Sequence, residues 1–406
     1  MIKGRENKFY FLTFAFLAIV LILALAIFEL MAYLCFKSRI YIPNHMRSVT
    51  IIENTAPAYE FDPSLGYKIS STPLRFAKIT KGVVEYSVVR KGNNLGLHAV
   101  RDYYPQKDSK EIKRFIVFGD SFSAGEYLEK TWVDRFEEMA KKEGKNIELL
   151  NFSIMGGGLG NWWRALDGIL RSEHYDVDGV IFAITTTVIN RKFFWHENTE
   201  GEISDIFGYV PSWDPKFFPG HKNSLQQSYY YRYLDEIYKV SNSQFEEVMA
   251  KKQNTIRYKT YARYYLARFI VAVKKFWPTT YLAYQKAGSW LELVRQWRVL
   301  GTQGVLDLGR ENLIDDINVY VQEKKMPCFV IHIPTREDLK TGEVYEETKR
   351  LSTILNATLI DGSLAFQDIP VSQAKDYFLP YDNHWNQKGS DLFAGFIFKK
   401  LSENVK

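Results

Sequence analysis

Cysteine is almost missing from this chain of 406 residues, which carries two in all. Two cysteines cannot build a disulfide framework. Cys35 falls in a long apolar run and Cys328 in an expected buried strand, so no bridge between them is expected. Charge of one sign is also scarce: Lys and Arg exceed Asp and Glu by six, and the two signs are interspersed, as from Lys107 to Arg114. No nucleic-acid partner is expected from such a balance. His174, His196 and His221 lack paired spacing and the Cys or acidic neighbours of a metal site, so no metal is expected. The run Gly156-Gly157-Gly158-Leu159-Gly160 lacks the Gly-Lys-Ser/Thr ending of a phosphate loop, and no cofactor is expected. No internal repeat is apparent. What remains is globular material, 46% hydrophobic and 25% charged, long enough for one large domain or two modest ones.

Long apolar runs, by contrast, are present. Residues 9–28 are apolar apart from Thr13, and the run resumes after Glu29 as far as Phe36. About 20 such residues suffice to cross a bilayer. A cleaved signal peptide would have a shorter apolar region and a small-residue cleavage site, which is missing here. The expectation is a tail over 1–8 and a retained transmembrane anchor over 9–36. Lys3, Arg5 and Lys8 precede the span, and Lys37, Arg39 and Arg47 follow it, so charge alone does not orient it. A short inside tail with an exported domain is the common outcome for a single span, so localisation at the cell membrane with an extracytoplasmic domain is expected.

Residues 37–80 hold scattered prolines and no sustained period, and read as a linker and lead-in. Val83 to Arg90 alternates like a strand. From there the pattern becomes an alternation of strands and helices. Phe115 to Phe118, Ile147 to Phe152, Val180 to Ile184, Cys328 to Ile333 and Thr358 to Ile360 read as strands buried on both faces. Thr131 to Lys142, Asn161 to Ser172 and Leu392 to Leu401 have helical spacing. The pattern predicts an α/β domain over 81–401 with a parallel sheet covered on both faces. The stretch between the third and fourth of these strands is too long for one crossover and is expected to be a helical insertion over about 195–312. Tyr229 to Tyr238, Phe245 to Tyr265 and Trp290 to Arg298 look helical within it. Aromatics, 16% of the chain, concentrate there, as a small helical core or as a surface for sugars or lipid.

Two short motifs carry chemistry. A serine hydroxyl is a poor nucleophile at neutral pH and needs a base, a carboxylate to orient that base, and donors for the oxyanion. Ser121, in Gly119-Asp120-Ser121-Phe122-Ser123, stands at the carboxyl end of the first buried strand, where ligands of such sheets bind. Near the other end of the chain comes Asp382-Asn383-His384-Trp385-Asn386, just before the closing helix. Each motif alone is more often a surface turn than a catalytic site; their joint presence in one α/β unit points to a nucleophile–base pair. His332, inside an apolar strand, reads as a core or strand-end histidine.

Phe118 to Gly125 resembles the first block of the SGNH (GDSL-like) hydrolases, a superfamily of esterases, lipases and carbohydrate O-acetyl esterases and transferases. Asn94-Leu95-Gly96-Leu97 looks like a common lead-in of bacterial members. Asn151-Phe152-Ser153-Ile154-Met155-Gly156 resembles the second block, whose glycine donates to the oxyanion. The third block departs: the family expects Gly-x-Asn-Asp where this chain has Thr185-Thr186-Thr187-Val188-Ile189-Asn190. Asn190 is the candidate oxyanion donor if the loop is longer, and Thr187 is the ungapped match. The last block is Asp-x-His rather than Asp-x-x-His, a form seen in bacterial acyl hydrolases and the alginate O-acetyltransferase-like group.

The resemblance implies a three-layer α/β/α, flavodoxin-like fold. It also implies Ser121 as nucleophile, His384 as base and then acid, Asp382 as its orienting carboxylate, and an oxyanion hole at Gly156 and Asn190. The expected function is hydrolysis of acyl esters, acetyl foremost, on a small ester or an acylated extracytoplasmic carbohydrate. One alternative is an O-acyltransferase for a surface polysaccharide, which would require a multi-span membrane partner to deliver the acyl group. The other is a non-catalytic polysaccharide-binding or scaffold protein on the same fold.

Overall fold

The computed structural model describes residues 13–24, 26–27, 48–53, 59–62, 64–80, 82–185, 193–197, 203–208, 236–252, 305–307, 310–341 and 346–404. Of the expected anchor over 9–36, residues 13–24 are helical, with Phe14, Phe16, Leu17 and Ile22 exposed. The remainder lies almost wholly outside the described residues. Among the described residues no helix is long and apolar enough to cross a membrane.

Along the chain, the strands are β1 (Ser48–Glu53), β2 (Tyr59–Asp62), β3 (Gly66–Ile69), β4 (Leu74–Thr80), β5 (Val83–Arg90), β6 (Lys113–Gly119) and β7 (Ile147–Asn151). There follow β8 (Gly179–Ile184), β9 (Phe193–Glu197), β10 (Ile203–Gly208), β11 (Glu236–Val240), β12 (Val305–Asp307), β13 (Cys328–His332) and β14 (Thr358–Asp361). The central sheet runs β14-β13-β8-β6-β7, and every pair in it is parallel. Side-chain alternation divides it cleanly. Ile116, Phe118, Val180, Phe182 and Val330 face one core; Phe115, Val117, Ile181, Phe329 and Ile331 face the other. Because both faces are covered, these strands read as continuous apolar runs.

Each face is closed by helices whose own sequences dictate them. Trp132–Lys142 begins with a capping box at Thr131 and Asp134, which satisfies two N–H groups that a helix end leaves open. It buries Trp132, Val133 and Phe136 beside Phe393, Ile397 and Leu401 of the closing helix Gln387–Asn404. The opposite face receives Trp162 and Leu166, and Leu313, Ile317 and Tyr320 of the helix Arg310–Glu323.

Two regions differ from the sequence reading. Residues 48–80, expected to be a linker, form four strands. β1 pairs antiparallel with β4, and β4 with β5, while β2 and β3 make a hairpin. Pro73 immediately precedes β4, so it bounds that strand without preventing its pairing. The insertion is mixed rather than helical. β9 is flanked by β10 and β12, and Glu236–Val240, whose first three residues were expected to end a helix, is β11, added parallel to β1. Asn242–Lys252 is helical; the rest of that expected helix and all of Trp290 to Arg298 lie outside the described residues. Arg310–Glu323 packs into the main core, so it serves as the crossover into β13.

Candidate active site

Gly119 ends β6, and the chain turns at once into a short helix, Ser121–Ala124. Asp120 holds that turn at both carboxylate oxygens. Oδ1 accepts the Phe122 N–H at 3.1 Å and Oδ2 accepts the Thr185 hydroxyl at 2.9 Å. The first block is thereby tied to the start of the loop after β8, two strands that are neighbours in the sheet.

Ser121 Oγ lies 2.6 Å from His384 Nε2, and His384 Nδ1 lies 2.6 Å from Asp382 Oδ1. A carboxylate can only accept, so the proton between the last two belongs to Nδ1. Nε2 of the neutral ring is then the acceptor for the serine hydroxyl. This is the tautomer a general base requires. The His384 backbone N–H also reaches Asp382 Oδ1, at 3.2 Å. Burial by itself would raise the Asp382 carboxyl, but the neighbouring His384 and Lys78, through charge and hydrogen bonds, hold it well below the usual carboxylate range.

The imidazole is fixed from both sides. Ring centroids of Phe122 and Tyr127 lie 4.7 and 4.8 Å from that of His384. Burial, followed by the nearby Asp382 and Asp120 charges, pushes the Tyr127 phenol well above its usual value. Tyr127 is therefore a neutral wall and no competing base.

The loop carrying Asp382 and His384 is held by the residues around it. Arg336 donates to the carbonyls of Leu379 and Asp382. Leu379 N–H bonds to the His384 carbonyl at 2.8 Å. Trp385, fully buried, donates Nε1–H to the Pro334 carbonyl and sets its ring edge-on to Phe122. Asn386 bonds through its side chain to the carbonyls of Asp376 and Phe378. A Cβ on Gly389 would stand 2.2 Å from the Tyr377 carbonyl, so the run from Asp382 to Gly389 is one packed unit.

Gly156 follows β7, which lies beside β6. Its φ is +74°, a conformation that side chains disfavour. Among the described residues neither the Ser121 nor the Gly156 backbone N–H has an acceptor, as donors kept for a substrate oxygen would require. The loop is braced on either side: Met155 N–H donates to Tyr67 Oη at 2.8 Å, and Asn151 Nδ2 to the Ser123 carbonyl at 2.8 Å. Asn190 and Thr187 lie outside the described residues. His332 is fully buried at the end of β13, 3.3 Å from Asp361. Among the described residues no cluster of His, Cys, Asp or Glu could hold a metal ion.

The sequence reading did not reach Lys78, whose Nζ donates to Asp382 Oδ2 at 2.9 Å, nor Arg336, Tyr127 and Tyr67. Each comes to the site only through tertiary packing. Phe122, adjacent to the serine, was the one wall residue within a recognisable motif.

No protein-family model and no curated protein matches the chain. Solved structures similar to it are esterases, lipases and acylhydrolases. One is a psychrotrophic esterase from Pseudoalteromonas sp., 13% identical, with 72% of this chain and 98% of that one covered at a TM-score of 0.34. Another is a lipase/acylhydrolase from Enterococcus faecalis, at 9% identity, 73% and 98% coverage and a TM-score of 0.33. A third, an SGNH-hydrolase family esterase, has 12% identity, 74% and 100% coverage and a TM-score of 0.29. At such scores the chemistry of this site rests on its own distances.

Proposed function

We propose that the chain is a serine-dependent carboxyl-ester hydrolase acting through an acyl-enzyme on Ser121. The observation that carries this reading is the unbroken relay from Ser121 through His384 to Asp382, with both links at 2.6 Å. His384 takes the Ser121 proton as Oγ attacks the ester carbonyl, and returns it to the leaving alkoxide. The N–H groups of Ser121 and Gly156 receive the oxyanion, with Asn190 as a further donor. Water, deprotonated by the same histidine, then releases the acid.

The substrate proposed is a short acyl ester, acetyl foremost, carried by a glycan outside the cytoplasm, with the chain tethered to the cell membrane by its N-terminal apolar run. The exposed Phe14, Leu17, Ile22 and Leu23 support the tether, which alkaline-carbonate extraction of membranes tests. Labelling the full chain with a fluorophosphonate probe tests the nucleophile. Labelling of the native chain and none of Ser121→Ala is expected, and equal labelling of both removes Ser121. Acetate release from p-nitrophenyl acetate without a sugar acceptor identifies water as the acceptor. Acyl transfer to an added oligosaccharide with no free acetate identifies a transferase instead.

A further inference from the structure

We propose that Lys78, on β4 of the N-terminal sheet, is a positioning residue of the catalytic triad, clamping Asp382 through the oxygen that His384 does not use. The inference rests on the esterase reading for its consequence in turnover, and on geometry for the clamp itself.

Asp382 has two oxygens with different tasks. Oδ1 receives the Nδ1–H and backbone N–H of His384; Oδ2 receives Lys78 Nζ at 2.9 Å. A carboxylate bonded at one oxygen can swing about its χ2 torsion. Bonded at both, it is fixed, and so is the ring plane of the histidine it orients. The pair is only partly open to solvent, with 19% of the lysine side chain and 24% of the aspartate exposed. Its charge-assisted bond is therefore less screened than a surface ion pair.

The strand that carries Lys78 is itself adapted to this contact. Lys78 pairs with Tyr86, yet Ile79 pairs with Val84, so Glu85 is an extra residue in β5 opposite Lys78. Such a bulge re-aims a side chain and is characteristic of strands beside active sites. Here it turns a carboxyl inward: Glu85 is buried, next to Lys78, the Thr80 hydroxyl and the Tyr381 backbone N–H. Lys78 thus stands between two carboxyl groups, one on its own hairpin and one on the triad loop. Both ends of the hairpin are anchored, since Phe76 and Val88 pack into the main core and Ala77 and Ile79 against the helix Asn242–Lys252. The position of Nζ is consequently set by the sheet rather than by the flexible lysine stem alone.

The test compares the full-length native chain with Lys78→Met, Lys78→Arg and Asp382→Asn. Turnover is followed with p-nitrophenyl acetate, and the far-downfield proton of the His384–Asp382 hydrogen bond by NMR without substrate. Asp382→Asn identifies the resonance by removing it. Lys78→Met is expected to lower kcat about tenfold with KM little changed, the scale of losing one charge-assisted bond, and to broaden or move the resonance. Lys78→Arg, which keeps the charge and donor, is expected to restore both. Native kcat together with a native resonance in Lys78→Met overturns the proposal, as does a loss of thermal stability alone with the resonance unmoved. Should Lys78→Met fail to fold, Lys78→Gln is read by the same two criteria. A native chain that neither turns over the ester nor reacts with fluorophosphonate defeats the esterase reading, while the resonance still decides the clamp.

Discussion

Arg90 and Glu126 form an ion pair of 3.3 Å with 4% and 1% of their side chains exposed, directly behind the loop that carries Gly156. Glu126 Oε1 takes the Tyr67 hydroxyl at 2.6 Å, and the same hydroxyl takes the Met155 N–H. A buried ion pair contributes little net stability, but breaking one member strands the other. Its evident consequence here is a braced loop at Gly156, the proposed oxyanion donor. Tyr67→Phe deletes the shared hydroxyl and removes its bonds to the part-buried Met155 N–H and to Glu126 Oε1. Unmet groups of this kind cost about 1–3 kcal/mol. A lower melting temperature and a reduced kcat are expected together, and a variant with native values of both would dismiss the brace.

The proposed relay requires its three residues to act as a unit, in which case their losses do not add. Ser121→Ala, His384→Ala and the double variant are expected to fall to one common floor, each losing about 10⁴-fold or more of kcat. If the double variant fell by the product of the single losses, independent roles would follow and the relay would be discarded. Circular dichroism of each variant checks that the fold persists.

Gly156 offers a test of the oxyanion site separate from the relay. At φ +74° an alanine is strained, and its methyl group sits beside the N–H in question. Gly156→Ala is expected to lower kcat by about 10²-fold, the cost of misplacing one donor, while fluorophosphonate still labels Ser121. Unaltered kcat would remove Gly156 from the hole.

The central sheet was legible because its strands are buried on both faces and carry unbroken apolar runs such as Phe115 to Phe118. Thr131 to Lys142 was legible as a helix in the same local way, from its apolar spacing. Ser121, Asp382 and His384 were legible as short motifs at the two ends of the unit. The N-terminal sheet was not, because strands of four to seven residues place only two to four side chains on each face, too few to establish a period. β11 was misread as helical because its pairing with β1 joins distant parts of the chain, and no local pattern records that. Lys78 belongs with these: it reaches Asp382 across 304 positions, from a segment that looked like a linker.

The two carboxyl groups flanking Lys78 are displaced in opposite directions, which gives opposite pH signatures. Burial raises Glu85 above its ordinary value, against the charge of Lys78 and the bonds from Thr80 and Tyr381. A carboxyl raised by folding favours the folded state while protonated, and that contribution is lost as pH rises from the unfolded value, about 4.3, through the folded one. Asp382 is the reverse: depressed on folding, it stabilises above the unfolded value of about 3.9 and loses that contribution as pH falls through its depressed one. Glu85→Gln is therefore expected to raise the melting temperature at pH 7, with the gain shrinking towards pH 4. Asp382→Asn is expected to lower it at pH 7, with the deficit shrinking only below pH 4. Scanning calorimetry of the native chain and both variants across this range separates the two. Parallel curves for both variants would mean that neither carboxyl titrates as its surroundings in this structure require.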